Sequence, residues 1–180
     1  LMMKKPCLQF FNSTVTPSIM EFYPLVGVKR DVSSKPEQDL YALRGLLGVR
    51  YIMMPLDKTG AFEEECGQWG YTRAFSDETF AFYKNENALP MGFAYDAYVT
   101  MEELEKTEES KRGNVLVRAV ALTDEQAEKY GGLLRHLTDA ERAGNSYEQY
   151  VQDAAARRAM GVTRFEEDAS GFEADIRLES

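Results

Sequence analysis

Apolar positions recur at helical spacing in several stretches of this chain. Most of those stretches open on a Ser/Thr-x-x-Glu/Gln box, whose first and fourth side chains satisfy backbone N–H groups that a first helical turn leaves unpaired. Ser34–Glu37 is one such box, followed by Leu40, Leu43 and Leu47, with Gly48 placed to stop the helix. Thr100–Glu103 opens a short acidic helix carrying Met101 and Leu104. Thr123–Gln126 opens another, with Ala127, Tyr130, Leu134 and Leu137 on one face and Gly131 and Gly132 weakening its middle. Ser146–Gln149 opens the last, whose buried stripe is Tyr147, Tyr150, Val151 and Ala154. Near the start, Thr16 and Pro17 suit an N-cap and a first helical position, before Ile19, Met20, Phe22, Tyr23 and a closing Gly27.

Strands are predicted between these helices. Residues 49–54 are apolar on both faces except at Arg50, the pattern of a central strand. Residues 71–75 and 79–83 flank Ser76, Asp77 and Glu78 and read as a hairpin, as do 162–165 and 172–178 around a polar loop with Gly171. Residues 92–99, rich in Phe, Tyr and Val, follow the Leu89-Pro90 turn as another strand. Residues 115–122 fit a buried helix or a strand equally well. Residues 58–70 and 140–145 read as the flexible connections. Helices and strands do not alternate strictly, so the pattern predicts an α+β fold: a mixed, partly antiparallel sheet with several short helices packed against it.

A length of 180 residues suits one domain with a real core. Hydrophobic residues at 44% and charged residues at 28% are ordinary globular usage, which excludes overall disorder. The formal charge of −9 repels phosphate backbones and disfavours nucleic acid as a partner. No run approaches about 18 consecutive apolar residues, so nothing here is read as a membrane span. Lys4, Lys5 and Pro6 lead into polar residues, unlike a secretory leader. A chain that starts on Leu1 and stops two residues after a predicted strand reads as a segment of something longer.

Candidate chemistry is sparse. Cys7, Cys66 and His136 do not form a zinc-ligand set, and two isolated cysteines are more often small apolar residues than a disulfide. Neither GxGxxG, GxxxxGK nor Gly-x-Ser-x-Gly occurs, so no cofactor or nucleophile motif is present. His136 falls near the end of a predicted helix, with no Ser or Cys nucleophile recognisably paired with it. Glu63, Glu64 and Glu65 read as a solvated acidic loop, and Glu102, Glu103, Glu105, Glu108 and Glu109 as a solubilising face balanced by Lys106 and Lys111. Trp69 and Tyr71, in the Gly67-Gln-Trp-Gly-Tyr71 loop, are the candidate glycan-binding pair, since aromatics beside polar groups stack on sugar rings. The competing reading is that they cover the sheet edge or plug this loop into the core.

Four stretches occur in an order that carries a family resemblance: residues 10–23 (FFNSTVTPSIMEFY), residues 27–32 (GVKRDV) with 43–51 (LRGLLGVRY), residues 82–93 (FYKNENALPMGF), and residues 171–176 (GFEADI). In that order they resemble the region after the main transmembrane block of YfhO-family bacterial membrane proteins. The resemblance implies a polytopic parent that looks like a GT-C type glycosyltransferase, using a lipid-linked sugar at the outer membrane face; some members are linked to lipoteichoic acid glycosylation. Its catalytic acid is expected near the start of the membrane block, so no catalytic residue carries over to this chain. The family motifs imply turns at Pro90 and Gly92, a helix stop at Gly48 and a hairpin at Gly171, with further sheet sequence beyond it. On this footing residues 1–180 are expected to form a single extracytoplasmic domain on the outer face of the bacterial cell membrane. Its expected partners are the transmembrane part of its own parent and a cell-wall glycan or lipid-linked sugar. Three roles compete: a non-catalytic accessory domain of the glycosyltransferase, a structural or protein-interaction module with no glycan binding, and a free-standing small enzyme. The first, packing on the membrane part or helping to place the acceptor, is favoured by a concave site lined by Trp69, Tyr71 and carboxylates. The second is favoured by a flat apolar face around the chain ends.

Overall fold

In the computed structural model, residues 17–28, 40–168 and 170–176 are described. The chain begins with α1 (Pro17–Leu25) and resumes at α2 (Tyr41–Leu46). The Ser34–Glu37 box and the Thr16 cap lie outside the described residues. α2 closes as its sequence predicts: the N–H of Val49 donates to the Arg44 carbonyl at 3.0 Å and that of Gly48 to the Gly45 carbonyl at 3.0 Å. β1 (Tyr51–Pro55) follows at once.

The stretch expected as a flexible connection after β1 is instead α3 (Thr59–Cys66), continued by a 3-10 turn at Gly67–Trp69. Phe62 and Cys66, four residues apart, are buried on one helical face, and that anchoring makes the segment helical. The acidic run Glu63 to Glu65 therefore sits on a helix, not a loop. Cys66 is fully enclosed, and Cys7 lies outside the described residues.

The predicted hairpin forms as β2 (Tyr71–Ser76) and β3 (Phe80–Asn85). Asp77 sets the turn: its Oδ1 accepts the N–H groups of Thr79 and Phe80 at 2.8 and 2.7 Å, and its own N–H donates to the Phe80 carbonyl at 2.9 Å. Both sheet neighbours of β3 are antiparallel, in the order β1-β3-β2. β3 is thus the central strand, and β1, expected at the centre, is an edge. Its two apolar faces have another explanation: Ile52 and Met54 face the core, while Tyr51 and Met53 face outward.

Residues 92–96 are irregular, and the strand there is only β4 (Ala97–Thr100). α4 (Met101–Lys106) starts from Thr100 with both halves of the capping box formed. The ambiguous 115–122 stretch divides: α5 (Glu109–Arg118) takes its first part and β5 (Val120–Leu122) its last. α6 (Asp124–Tyr130) ends at the Gly131-Gly132 pair, which passes through a 3-10 turn into β6 (Arg135–His136). The long helix expected through Leu137 is thus cut short by its two glycines. β5 and β6 flank β4, both parallel to it. α7 (Asp139–Ala143) occupies the second predicted connection, capped by Thr138 and Glu141. α8 (Tyr147–Ala159) starts at Ser146 as predicted, and β7 (Val162–Asp168) pairs with β8 (Gly171–Ile176) as the second hairpin.

The class is α+β, with the strands divided among three small sheets. Tyr23, Val26, Leu43, Val99, Leu104, Val115 and Leu137 pack the parallel sheet against α1, α2, α4 and α5. Ala42, Leu89, Val117, Tyr150 and Ala154 join α2, α5 and α8. Phe62, Cys66, Tyr71, Ala81 and Tyr83 fill the space between α3 and the antiparallel sheet. Two arginines tie these bodies. Arg118 on α5 meets Asp153 on α8 at 2.8 Å, both side chains nearly buried. Arg112 spends its three donor nitrogens on the carbonyls of Leu25, Glu105 and Thr107 at 2.7 to 2.9 Å. Among the described residues no helix is long and apolar enough to cross a membrane.

Candidate functional site

The Trp69–Tyr71 loop lies where the antiparallel sheet meets α2 and α8. Gly70 between them sits at φ +74°, and a β-carbon there would stand 2.5 Å from the Tyr147 hydroxyl and 2.7 Å from Asn87 Nδ2. Only glycine lets the backbone come that close. The turn delivers the Trp69 ring onto Tyr41, stacked at 4.6 Å and 24°, and against the edge of Tyr147 at 5.4 Å. Tyr41 in turn touches Tyr147 at 5.3 Å and Tyr150 at 5.1 Å.

Most polar groups of this cluster are satisfied from within, the buried Tyr71 hydroxyl being the exception, with no hydrogen-bond partner among the described residues. Asn87 Nδ2 donates to the Tyr147 hydroxyl at 3.1 Å, the Tyr150 hydroxyl donates to the Asn87 carbonyl at 3.3 Å, and Asn114 donates to the Tyr41 hydroxyl at 3.3 Å. Burial raises the pKa values of Tyr71, Tyr147 and Tyr150, so these phenols stay protonated near neutrality. At Tyr71 the Arg44 guanidinium partly opposes that rise. Tyr71 is only 6% exposed, its ring against Phe62 at 5.6 Å, whereas Trp69 is half-buried and keeps part of its surface toward solvent. The structure thus brings both residues to one junction, with Trp69 at its rim and Tyr71 inside it. Asn87, Tyr41 and Tyr147 complete the cluster. Tyr147 was expected on a buried helical stripe, but its meeting with Trp69, Tyr41 and Asn87 escaped sequence reasoning because these residues are distant in the chain and share no periodicity.

The other candidates are held in structural roles. His136 lies on β6, not at a helix end; its ring stacks on Tyr98 at 4.6 Å and its Nε2 is 2.8 Å from Glu103 Oε2. Glu103 also caps α4, accepting from the Thr100 N–H at 2.9 Å and hydroxyl at 3.0 Å, and meets Arg142 at 3.0 Å. Partial burial opposes ionisation of Glu103, but the Thr100 and His136 bonds and the Arg142 charge outweigh it and bring its pKa down to about 2. A carboxylate so committed is a poor proton shuttle near neutrality. Glu63 accepts from the Tyr83 hydroxyl at 2.5 Å, while Glu64 and Glu65 are exposed. Glu102 and Glu108 pair with Lys106 and Lys111, each at 2.7 Å. Among the described residues no group of three or more His, Cys, Asp or Glu side chains is arranged to hold a metal ion.

The conspicuous surface is the outer face of the antiparallel sheet. Register places Met53 opposite Phe82 and Phe82 opposite Phe75, an apolar row across all three strands. The Phe75 and Phe82 rings stack at 4.3 Å and 15°, and Phe75 remains 57% exposed. The β7–β8 hairpin repeats the arrangement, with Phe165 and Phe172 stacked at 5.6 Å and exposed. The signal for the first face was present in β1, whose apolar residues on both sides required an apolar neighbour on each.

The family described as "Bacterial membrane protein YfhO" matches residues 5–166. No curated protein and no solved structure matches the chain.

Proposed function

Because the chain belongs to the YfhO family of bacterial membrane proteins, we propose that it is a non-catalytic accessory domain, held on the extracytoplasmic side against the membrane-embedded part of its own parent protein. The observation that carries this reading is the Met53–Phe82–Phe75 row, in which Met53 and Phe75 are exposed and Phe82 is half-buried between them. Stacked aromatics left open on a sheet face are a surface that another body covers. In a membrane protein the covering body nearest to hand is the rest of the same chain. The parent is a glycosyltransferase-like protein of the cell envelope, with lipoteichoic acid among its candidate acceptors. In that setting the domain places or shields the acceptor rather than transferring sugar. The fixed hydrogen bonds of His136, Glu103 and Tyr150 support a role without proton transfer.

The test is a photo-crosslinking residue at position 75 in the intact parent. Crosslinks to the parent's own membrane-embedded segments are expected. Crosslinks confined to other proteins or to lipid, or none at all, would sink the docking reading. A second reading, glycan contact at Trp69, is supported by the part of its indole left open at the junction rim. Saturation transfer from the protein to cell-wall glycans that vanishes in Trp69→Ala is its expected result; equal transfer in both proteins removes it.

A further inference from the structure

A cavity of about 490 Å³ opens where the ends of β1 and β3 meet the 86–90 turn and the start of β7. Its wall carries three cations, Arg50, Lys84 and Arg158, against one acid, Glu86. That acid is already engaged. Lys84 Nζ lies 2.6 Å from Glu86 Oε2, and the Thr72 hydroxyl donates to Oε1 at 2.7 Å. These bonds, Lys84 first and Thr72 next, hold the Glu86 pKa below its usual range, so Glu86 counts as one fixed negative charge. Two positive charges remain in excess. Arg158 gives a single long bond, 3.3 Å, to the Glu86 carbonyl. The Arg50 backbone carbonyl accepts from the Asn85 N–H at 2.9 Å, but its guanidinium makes no hydrogen bond or ion pair among the described residues.

In a chain of net charge −9, a concave site with a local positive excess and an uncommitted guanidinium selects for an anion. Guanidinium groups match phosphate oxygens in pairs, which a compact ammonium does not. The volume falls within the range of roughly 300–1,000 Å³ typical of small-ligand sites, far more than a bare phosphate fills. The rest of the wall sets apolar and aromatic Tyr51, Leu89, Pro90 and Val162 beside polar Asn85 and Thr163. We propose that this cavity binds a phosphate ester, with Arg50 and Arg158 taking the phosphate oxygens and Tyr51 and Pro90 covering the organic body. The ester is either a soluble phosphorylated compound or the head of a membrane lipid. Tyr51 and Lys84 face each other in the same sheet, two positions along the strands from the Met53–Phe82 pair, so a lipid head here would lie beside the apolar row. The proposal does not rest on the docking reading.

The experiment follows backbone amide shifts of Tyr51, Gly161 and Thr163 while the intact chain is titrated with glycerol phosphate. In parallel, flotation is measured with phosphatidylcholine vesicles with and without phosphatidylglycerol. Saturable shifts with glycerol phosphate establish a soluble ester; binding only to the anionic vesicles establishes a lipid head. In either case Arg50→Gln, which breaks no bond in the fold, is expected to weaken binding about tenfold, and Lys129→Gln on α6 to leave it unchanged. The proposal is overturned if neither probe binds, if an Arg50→Gln/Arg158→Gln protein binds like wild type, or if Lys129→Gln weakens binding as much as Arg50→Gln.

Discussion

The hydroxyl of Tyr150 stands 2.1 Å from the point a β-carbon on Gly45 would occupy. The first turn of α8 thus presses on α2 at the one residue of that helix without a side chain. Gly45→Ala forces the ring or the helix to move, a strain of about 1–3 kcal/mol that outweighs the better helix propensity of Ala. Tyr150→Phe removes the clashing oxygen together with its bond to the Asn87 carbonyl. A double-mutant cycle in urea is expected to show that Tyr150→Phe rescues most of the Gly45→Ala loss. Additive losses would mean that the contact is not the cause.

Asp153 is the partner of a nearly buried cation. Arg118 bonds it through Nε at 2.9 Å and Nη2 at 2.8 Å. Asp153→Ala leaves the guanidinium buried with only the Glu141 and Gly144 carbonyls as acceptors, at an expected cost of about 3–5 kcal/mol in chemical denaturation. Replacing the pair with Arg118→Met/Asp153→Leu is expected to lose less than the single variant, since no unpaired charge remains.

Glu103 makes the fold acid-sensitive. Its carboxyl titrates at about 2 in the native protein against 4.5 as the ordinary value. A depressed native pKa adds stability above the unfolded value, and that stability is lost as the pH falls through the native one. Stability measured between pH 5 and pH 2 is expected to fall less steeply in Glu103→Gln than in wild type. Parallel curves would show that the α4 cap and the Arg142 contact do not act through ionisation.

The single tryptophan reports the junction directly. Its stack on Tyr41 predicts a near-ultraviolet circular dichroism signal that Tyr41→Ala weakens, the Tyr147 edge contact remaining. An unchanged signal would place the indole elsewhere.

Local chemistry was legible from the residues alone. The boxes at Thr100 and Thr123 and the cap at Ser146 close within four residues, the Asp77 turn within three, and the stop at Gly48 within one turn. Such features need no knowledge of the rest of the chain. The Thr138–Glu141 box obeys the same rule but was concealed in a stretch too short and polar to show a buried stripe. The α+β class followed from the order of these signals. What the residues could not decide was anything set by partners far along the chain. β3 rather than β1 became central because Phe82 finds Met53 on one side and Phe75 on the other. His136 became a strand residue because the Tyr98 backbone pairs with it and its ring Nε2 donates to the ionised Glu103. Trp69 and Tyr71, two residues apart in one glycine-rich loop, are separated by tertiary structure into a rim position and a core position. The alternating direction of side chains is local, but which side is covered depends on α3, α2 and α8, and that is settled only when they pack.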